Sequence, residues 1–188
     1  MTLIKSISGI RGLIDSSLDI DLILRYVHSF SRISPLGKIL LARDTRNSGS
    51  EYINYSIDLL NKINRESINS DIIPTPTAQF TIIEKKYAGG IVFTASHNPS
   101  EWNGMKFINS NGTFLDQEQF KRLEEECNTD FLNISIKIDS NLVIDNDSLK
   151  SIDSHINNVE NLNIINKKII QDKKFKIAVD CVNGATSI

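Results

Sequence analysis

Short apolar runs that alternate with amphipathic helices limit this chain's fold more than any other feature of its sequence. "KILLA" at 38–42 is apolar and bounded by turn residues, and so reads as a buried strand. "INSDII" at 68–73, "GIVFTA" at 90–95 and "GMKFIN" at 104–109 read as further strands. Between them, Ile20, Ile23, Leu24, Val27 and Phe30 recur at helical spacing from Asp19 until Pro35 and Gly37 end the pattern. A second helix carries Tyr52, Ile53, Ile57 and Leu60 on one face. The Pro-Thr-Pro-Thr at 74–77 breaks one strand and starts a helix through "AQFTIIEKKY". Asp116 is suited to N-cap a helix bearing Phe120, Leu123 and Cys127. Strands and helices in this alternation imply an α/β layered sheet.

Beyond about residue 130 the pattern weakens. "NISIKID" at 133–139 reads as a strand or an extended connection. A helix through Ile152, Ile156 and Val159 follows, then Asn-rich linker sequence, and "FKIAVDCVNGATSI" at 175–188 reads as a strand and turn. One domain is therefore expected over 1–160, with 161–188 a linker and the start of an incomplete second α/β domain.

The net charge of −2 argues against nucleic acid as a partner, because a phosphate backbone demands a basic excess. The acidic run Glu124–Glu126 falls on a predicted helix, as a solvated face. No stretch approaches the roughly 20 apolar residues that cross a bilayer, and the N-terminus lacks a signal-peptide pattern. Cys127 and Cys181 form neither a metal pattern nor a disulfide framework, so a cytoplasmic setting is expected.

Polar clusters follow several predicted strands. Ser96 sits just past "GIVFTA", at the sheet edge where α/β folds place ligands. Pro99 forces Asn98 out of helical geometry, so "HNPS" is a defined turn. A nucleophilic Ser needs a base, and His97 is poorly placed because adjacent side chains of extended chain point apart. His28 and His155 lie on predicted helices and read as structural, and no Gly-x-Ser-x-Gly elbow is present. A Ser-dependent hydrolase is thus disfavoured. Phosphoryl transfer asks instead for positioning and cationic charge. Lys106 follows the Asn103-Gly104 turn, Arg11 sits between glycines that permit unusual backbone near a ligand, and "RDTR" places Arg43, Asp44 and Arg46 after a core strand. That loop reads equally as an internal salt bridge and helix cap.

"TASHNPSEWNGMKF" resembles the phosphoserine loop of the α-D-phosphohexomutases, Thr-Ala-Ser-His-Asn-Pro followed by Asn-Gly-x-Lys. "SGIRG", "RDTRNSG" and "PTPT" resemble the family's other motifs in its order, and "FKIAVDCVNGAT" the opening of its second domain. The resemblance implies an α/β/α domain with a mixed sheet between helices, followed by the first strand of a truncated domain. It implies interconversion of hexose 1- and 6-phosphates through phosphorylated Ser96 and a bisphosphate intermediate, with hexose 1,6-bisphosphate as activator. Lys106 matches the family's general base, Arg11 a phosphoryl contact, and His97 a residue supporting phosphoserine and substrate. Asn98, Arg43 and Arg46 join the expected phosphate-binding set.

Mg²⁺ is expected on the phosphoserine oxygen of Ser96. The family's Asp-x-Asp-x-Asp-Arg loop has no match: Asp15, Asp19 and Asp21 do not fit it, and "DND" at 145–147 carries only two carboxylates. The chain is accordingly expected to be a piece of a longer enzyme with little activity alone. The wording of "SGIRG" and "NPSEWNGMKF" most resembles the phosphoglucosamine mutases. Phosphomannomutase, phosphoglucomutase and a non-catalytic sugar-phosphate-binding remnant stay open.

Overall fold

A computed structural model describes residues 3–129 and 148–187. Its centre is a six-stranded sheet in the order β1-β2-β6-β5-β3-β4. The strands are β1 (Ile4–Ser6), β2 (Gly9–Leu13), β3 (Ile39–Arg43), β4 (Ser67–Ile72), β5 (Gly89–Phe93) and β6 (Trp102–Asn109). β3 pairs parallel with β4 and β5, whereas β6 runs antiparallel to both β5 and β2. The sheet is mixed, as expected. The carboxyl ends of β2, β3, β4 and β5 consequently share one edge with the start of β6.

Strand alternation divides the core into two layers. Ile39, Leu41, Ile91, Phe93, Met105 and Phe107 face α1 (Ile20–Ile33), α2 (Asn47–Lys62) and α4 (Gln117–Cys127). Leu40, Ala42, Val92 and Ile108 face α3 (Thr75–Lys85), which meets them with Ala78 and Ile82. α5 (Ser148–Glu160) covers the same layer, where Ile152 packs on the core and His155 stacks on Phe80 at 5.0 Å. The α/β/α layering follows.

α1 and α4 begin where the sequence placed them, whereas α2 begins at Asn47, inside the stretch 43–50 that reads as a polar loop. Asp19 accepts from the Leu22 amide at the start of α1, and Asp116 closes a capping box with Gln119 on α4. The β1–β2 hairpin was not foreseen. Its first strand has three residues and its second opens at Gly9, whose φ of 118° suits glycine and whose added Cβ would stand 2.1 Å from the Met105 carbonyl oxygen. That glycine serves close strand packing, not approach to a ligand.

Past α5 the structure departs from the sequence reading. α6 (Lys167–Asp172) occupies the expected linker. Residues 175–180, expected to be the first strand of a second domain, pair with no strand among the described residues, and Phe175, Ile177 and Val179 are exposed. A strand needs a neighbour to satisfy its backbone, and none is present for this segment among the described residues. The readings at 133–139 and 145–147 lie outside the described residues. Among the described residues, no helix is long and apolar enough to cross a membrane.

Leu123 is the residue through which α4 enters the core, and it is fully buried against the α1 layer. Leu123→Ala is expected to lower unfolding free energy by about 2–4 kcal/mol. Urea denaturation followed by circular dichroism checks this, and a loss below about 1 kcal/mol would contradict the described packing of α4.

Candidate functional site

The shared sheet edge opens into a cleft of about 750 Å³. Most of its lining comes from the segments after strands that end at this edge: Ile14 after β2, Asp44–Ser48 after β3, Ile73–Thr75 after β4, and Thr94, Ser96–Asn98 and Ser100 after β5, whose Val92 lines it too. The turn Val182–Ala185 adds a rim, held where the Thr45 hydroxyl donates to the Asn183 carbonyl at 2.7 Å.

Ser96 stands exposed in this cleft with φ at 59°, a left-handed conformation rare for a residue with a Cβ. Its amide donates to the Thr94 Oγ1 at 3.0 Å, and the Asn98 amide donates to the Ala95 carbonyl at 3.2 Å, making a compact turn. The reversal also corrects the expectation for His97. Adjacent side chains point apart only in extended chain, and at Ser96 the chain is not extended. The His97 Nδ1 therefore comes to 3.4 Å from the Ser96 Oγ.

Arg11 reaches the same turn from β2. It pairs with Gly104 in the sheet, passes over that residue, and its guanidinium donates to the Asn98 Oδ1 at 3.2 Å. A Cβ at Gly104 would come within 3.1 Å of the Arg11 Cγ and 2.3 Å of the Ile10 carbonyl oxygen, so glycine keeps this lane open. Lys106, two residues further on the same face of β6, is half-buried with its Nζ 5.3 Å from the Phe114 ring centre. Burial lowers its pKa, and the positive charge of Arg11 lowers it further. Neither Arg11 nor Lys106 lines the cleft itself.

In the "RDTR" loop the internal salt-bridge reading holds, and the phosphate-binding one expected of Arg43 and Arg46 does not. Arg43 is an ion pair with Asp71 (2.6 Å), tucked against Gly49, and its side chain is 14% exposed outside the cleft. Its place on the strand sends it under α2 rather than toward a ligand. Arg46 does line the cleft, yet its guanidinium is committed to protein acceptors. It donates to Asp44 (3.0 Å) and to the carbonyls of Ser96 (3.0 Å), Asn98 (2.8 Å) and Pro99 (2.9 Å). A fork occupied in this way cannot grip a phosphate with two bonds.

Sequence reasoning missed the backbone contribution. α2 and α3 both begin in the cleft, and neither has a side-chain cap. Their aligned dipoles and uncapped amides, fewer on α3 because Pro76 carries no N–H, favour an anion there. The flanking signals, Arg46 and Pro74 in place of Ser, Thr or Asp, were legible in the chain. Asn103 secures one wall, being fully buried and donating to the Ser48 Oγ at 2.8 Å.

Mg²⁺ takes near-octahedral oxygen ligands. Among the described residues no group of three His, Cys, Asp or Glu side chains could hold a metal, and both oxygens of Asp44 in the cleft accept from Arg46. The residues described do not form a Mg²⁺ site on their own.

Residues 3–133 match the family model described as phosphoglucomutase/phosphomannomutase, alpha/beta/alpha domain I. The phosphoglucosamine mutase of Prochlorococcus marinus is 31% identical over 188 residues, covering 94% of this chain and 40% of that protein. That of Methanococcus vannielii is 36% identical over 170 residues, covering 89% and 35%. The chain thus spans about two fifths of the length of the curated relatives it matches. Among solved structures, a Thermus thermophilus protein that carries the phosphomannomutase name provisionally superposes with a TM-score of 0.62 at 26% identity, covering 66% of this chain and 30% of that one. A phosphoglucomutase/phosphomannomutase family protein of Burkholderia thailandensis gives 0.56 at 27% identity, covering 64% and 28%.

Lys106 is expected to titrate below the ordinary lysine range, and Arg11→Leu to raise that midpoint by removing a like charge. Between the lowered midpoint and the ordinary value the unfolded chain holds the extra proton, so this lysine makes stability rise with pH there. Amine labelling of Lys106 across pH, read by peptide mass spectrometry, checks both statements. Equal midpoints in the two proteins would remove Arg11 from the electrostatic surroundings of Lys106.

Proposed function

The chain belongs to the phosphoglucomutase/phosphomannomutase family, and from that premise we propose that Ser96 carries a phosphoryl group exchanged with a hexose phosphate. One observation carries this reading: an exposed serine, held left-handed, stands in a cleft where two helices begin without side-chain caps. An oxyanion gains most where backbone dipoles and cations converge before it arrives.

In the proposed step, a hydroxyl oxygen of the sugar phosphate attacks the phosphorus on Ser96. The bond from phosphorus to the Ser96 Oγ breaks, and a hexose bisphosphate forms. We assign the proton of the attacking hydroxyl to the amine of Lys106, which lies beyond the cleft lining and whose pKa is lowered by burial and by the charge of Arg11. The departing Oγ takes up a proton from solvent as serine is restored. In the return step the Oγ gives a proton back to solvent as it attacks the other phosphate of the turned bisphosphate, and the released oxygen regains its proton from the Lys106 ammonium. Arg11 supplies positive charge beside Asn98, and His97, 3.4 Å from the Oγ, supports the phosphoserine. A bound Mg²⁺ would add charge neutralisation with ligands beyond those described.

Phosphoglucosamine is the favoured sugar phosphate, because the two curated relatives named above are phosphoglucosamine mutases. The whole reaction is proposed of the longer protein, since this chain spans only part of its relatives. Residues 161–188 read as the opening of its next unit.

Incubation with glucose 1,6-bisphosphate and Mg²⁺, followed by peptide mass mapping, is expected to place one phosphoryl group on Ser96. Ser96→Ala should remove the label without loss of the folded state, since an exposed hydroxyl contributes little to stability. A label on another residue, or none on folded wild type, would overturn the reading.

A further inference from the structure

We propose that Asp44 and Arg46 form a positioning clamp that sets the conformation of the Ser96 turn, and that Arg46 is not a phosphate ligand. The inference rests on the reading of Ser96 as phosphoryl carrier for its consequence, though not for its geometry.

Three carbonyl oxygens of a four-residue stretch, those of Ser96, Asn98 and Pro99, converge on one guanidinium at 2.8–3.0 Å. Converging carbonyls repel one another unless a cation stands among them. The donor that fills this space is oriented in turn. Asp44 accepts the Arg46 Nε on one carboxylate oxygen at 3.0 Å and the Arg46 backbone amide on the other at 2.9 Å. Both side chains are largely buried, 13% exposed for Arg46 and 20% for Asp44, so water competes little for these bonds. Asp44 is itself tied to the strand that bears Ser96, its amide donating to the Phe93 carbonyl at 3.0 Å.

The consequence for Ser96 is direct. A residue with a Cβ does not hold φ at 59° without help. Here the Thr94 hydroxyl fixes the amide before the Cα and Arg46 fixes the carbonyl after it. The carbonyl oxygen and the following N–H of a trans peptide point opposite ways. Pulling the Ser96 oxygen onto Arg46 therefore also aims the His97 amide away from the guanidinium. The clamp decides both where the Oγ stands and how the next amide faces.

The test uses Arg46→Lys, which keeps the charge but cannot bridge three carbonyls, and Asp44→Asn, which keeps an acceptor for Nε while removing the orienting charge. Each protein is checked for folding by circular dichroism. The Ser96 Cβ and carbonyl shifts are then read by NMR without any ligand. A clamp predicts that these shifts leave their left-handed values in Arg46→Lys and move the same way, by less, in Asp44→Asn. At saturating glucose 1,6-bisphosphate and Mg²⁺, phosphorylation of Ser96 should slow by about 10- to 100-fold in Arg46→Lys. The half-saturating concentration should change by less than about twofold, because no ligand contact has been lost. Unchanged Ser96 shifts in folded Arg46→Lys would overturn the clamp even if no protein becomes phosphorylated. A raised half-saturation with an unaltered maximal rate would make Arg46 a phosphate ligand and overturn it as well. Absence of label in wild type, with shifted Ser96 resonances in the variant, would instead sink the carrier reading and leave the clamp standing.

Discussion

The antiparallel return of β6 between β5 and β2 is the constraint on which the site depends. Parallel strands alone would bring loops 44–48, 73–75 and 94–100 to one edge, but none would supply Arg11 or Lys106. β6 does this by folding back after a short turn, so that Val92 pairs with Lys106 and Arg11 with Gly104 on the same face. The return requires the missing side chain of Gly104, as it does that of Gly9. The Ile10 and Thr94 carbonyls and the Arg11 stem occupy the space where a Cβ at Gly104 would stand. The open lane at Gly104 thus lets β2 carry the Arg11 cation across to the serine turn while β6 carries the Lys106 amine.

Charge in the cleft comes from the backbone more than from a surplus of basic residues. The chain as a whole is slightly acidic, at −2. Its Asp caps are spent on α1 and α4, whose starts lie away from the cleft, whereas α2 and α3 open into it uncapped. Leaving a helix start without a cap costs about 1 kcal/mol, a sacrifice that makes sense where an incoming anion will take the place of the missing acceptor. Arg46, which looks like the obvious phosphate ligand, is turned inward to neutralise carbonyls.

How far the sequence foretells this structure depends on what kind of force sets each part. The strands of the core were legible because burial on both faces leaves unbroken apolar runs at 38–42 and 90–95. The β1–β2 hairpin was not, since β1 is three residues long and its pairing rests on the backbone of Gly9. The segment 175–180 misled in the opposite sense: its alternation of Phe175, Ile177 and Val179 suits a strand, yet strand structure requires a partner edge. In "RDTR" the two arginines are indistinguishable by spacing. Only the register of β3 decides that Arg43 lies under Gly49 with Asp71 while Arg46 faces the serine turn. His97 was misjudged because a positive φ at the preceding residue cannot be read from a non-glycine.

The carrier role proposed for Ser96 makes a specific mechanical demand. Its side chain passes between neutral and roughly doubly negative, yet the atom that carries the group must stay where the acceptor will be. A serine fixed by hydrogen bonds through its own Oγ would lose its anchor each time it became phosphorylated. Ser96 is fixed otherwise, by its amide to Thr94 and its carbonyl to Arg46, and the contact of its Oγ with His97 is a long 3.4 Å. Both anchors survive any change of state at the hydroxyl. In the left-handed backbone of Ser96 both anchors engage while the Oγ stays exposed at the cleft, so the strained conformation goes with this division of labour.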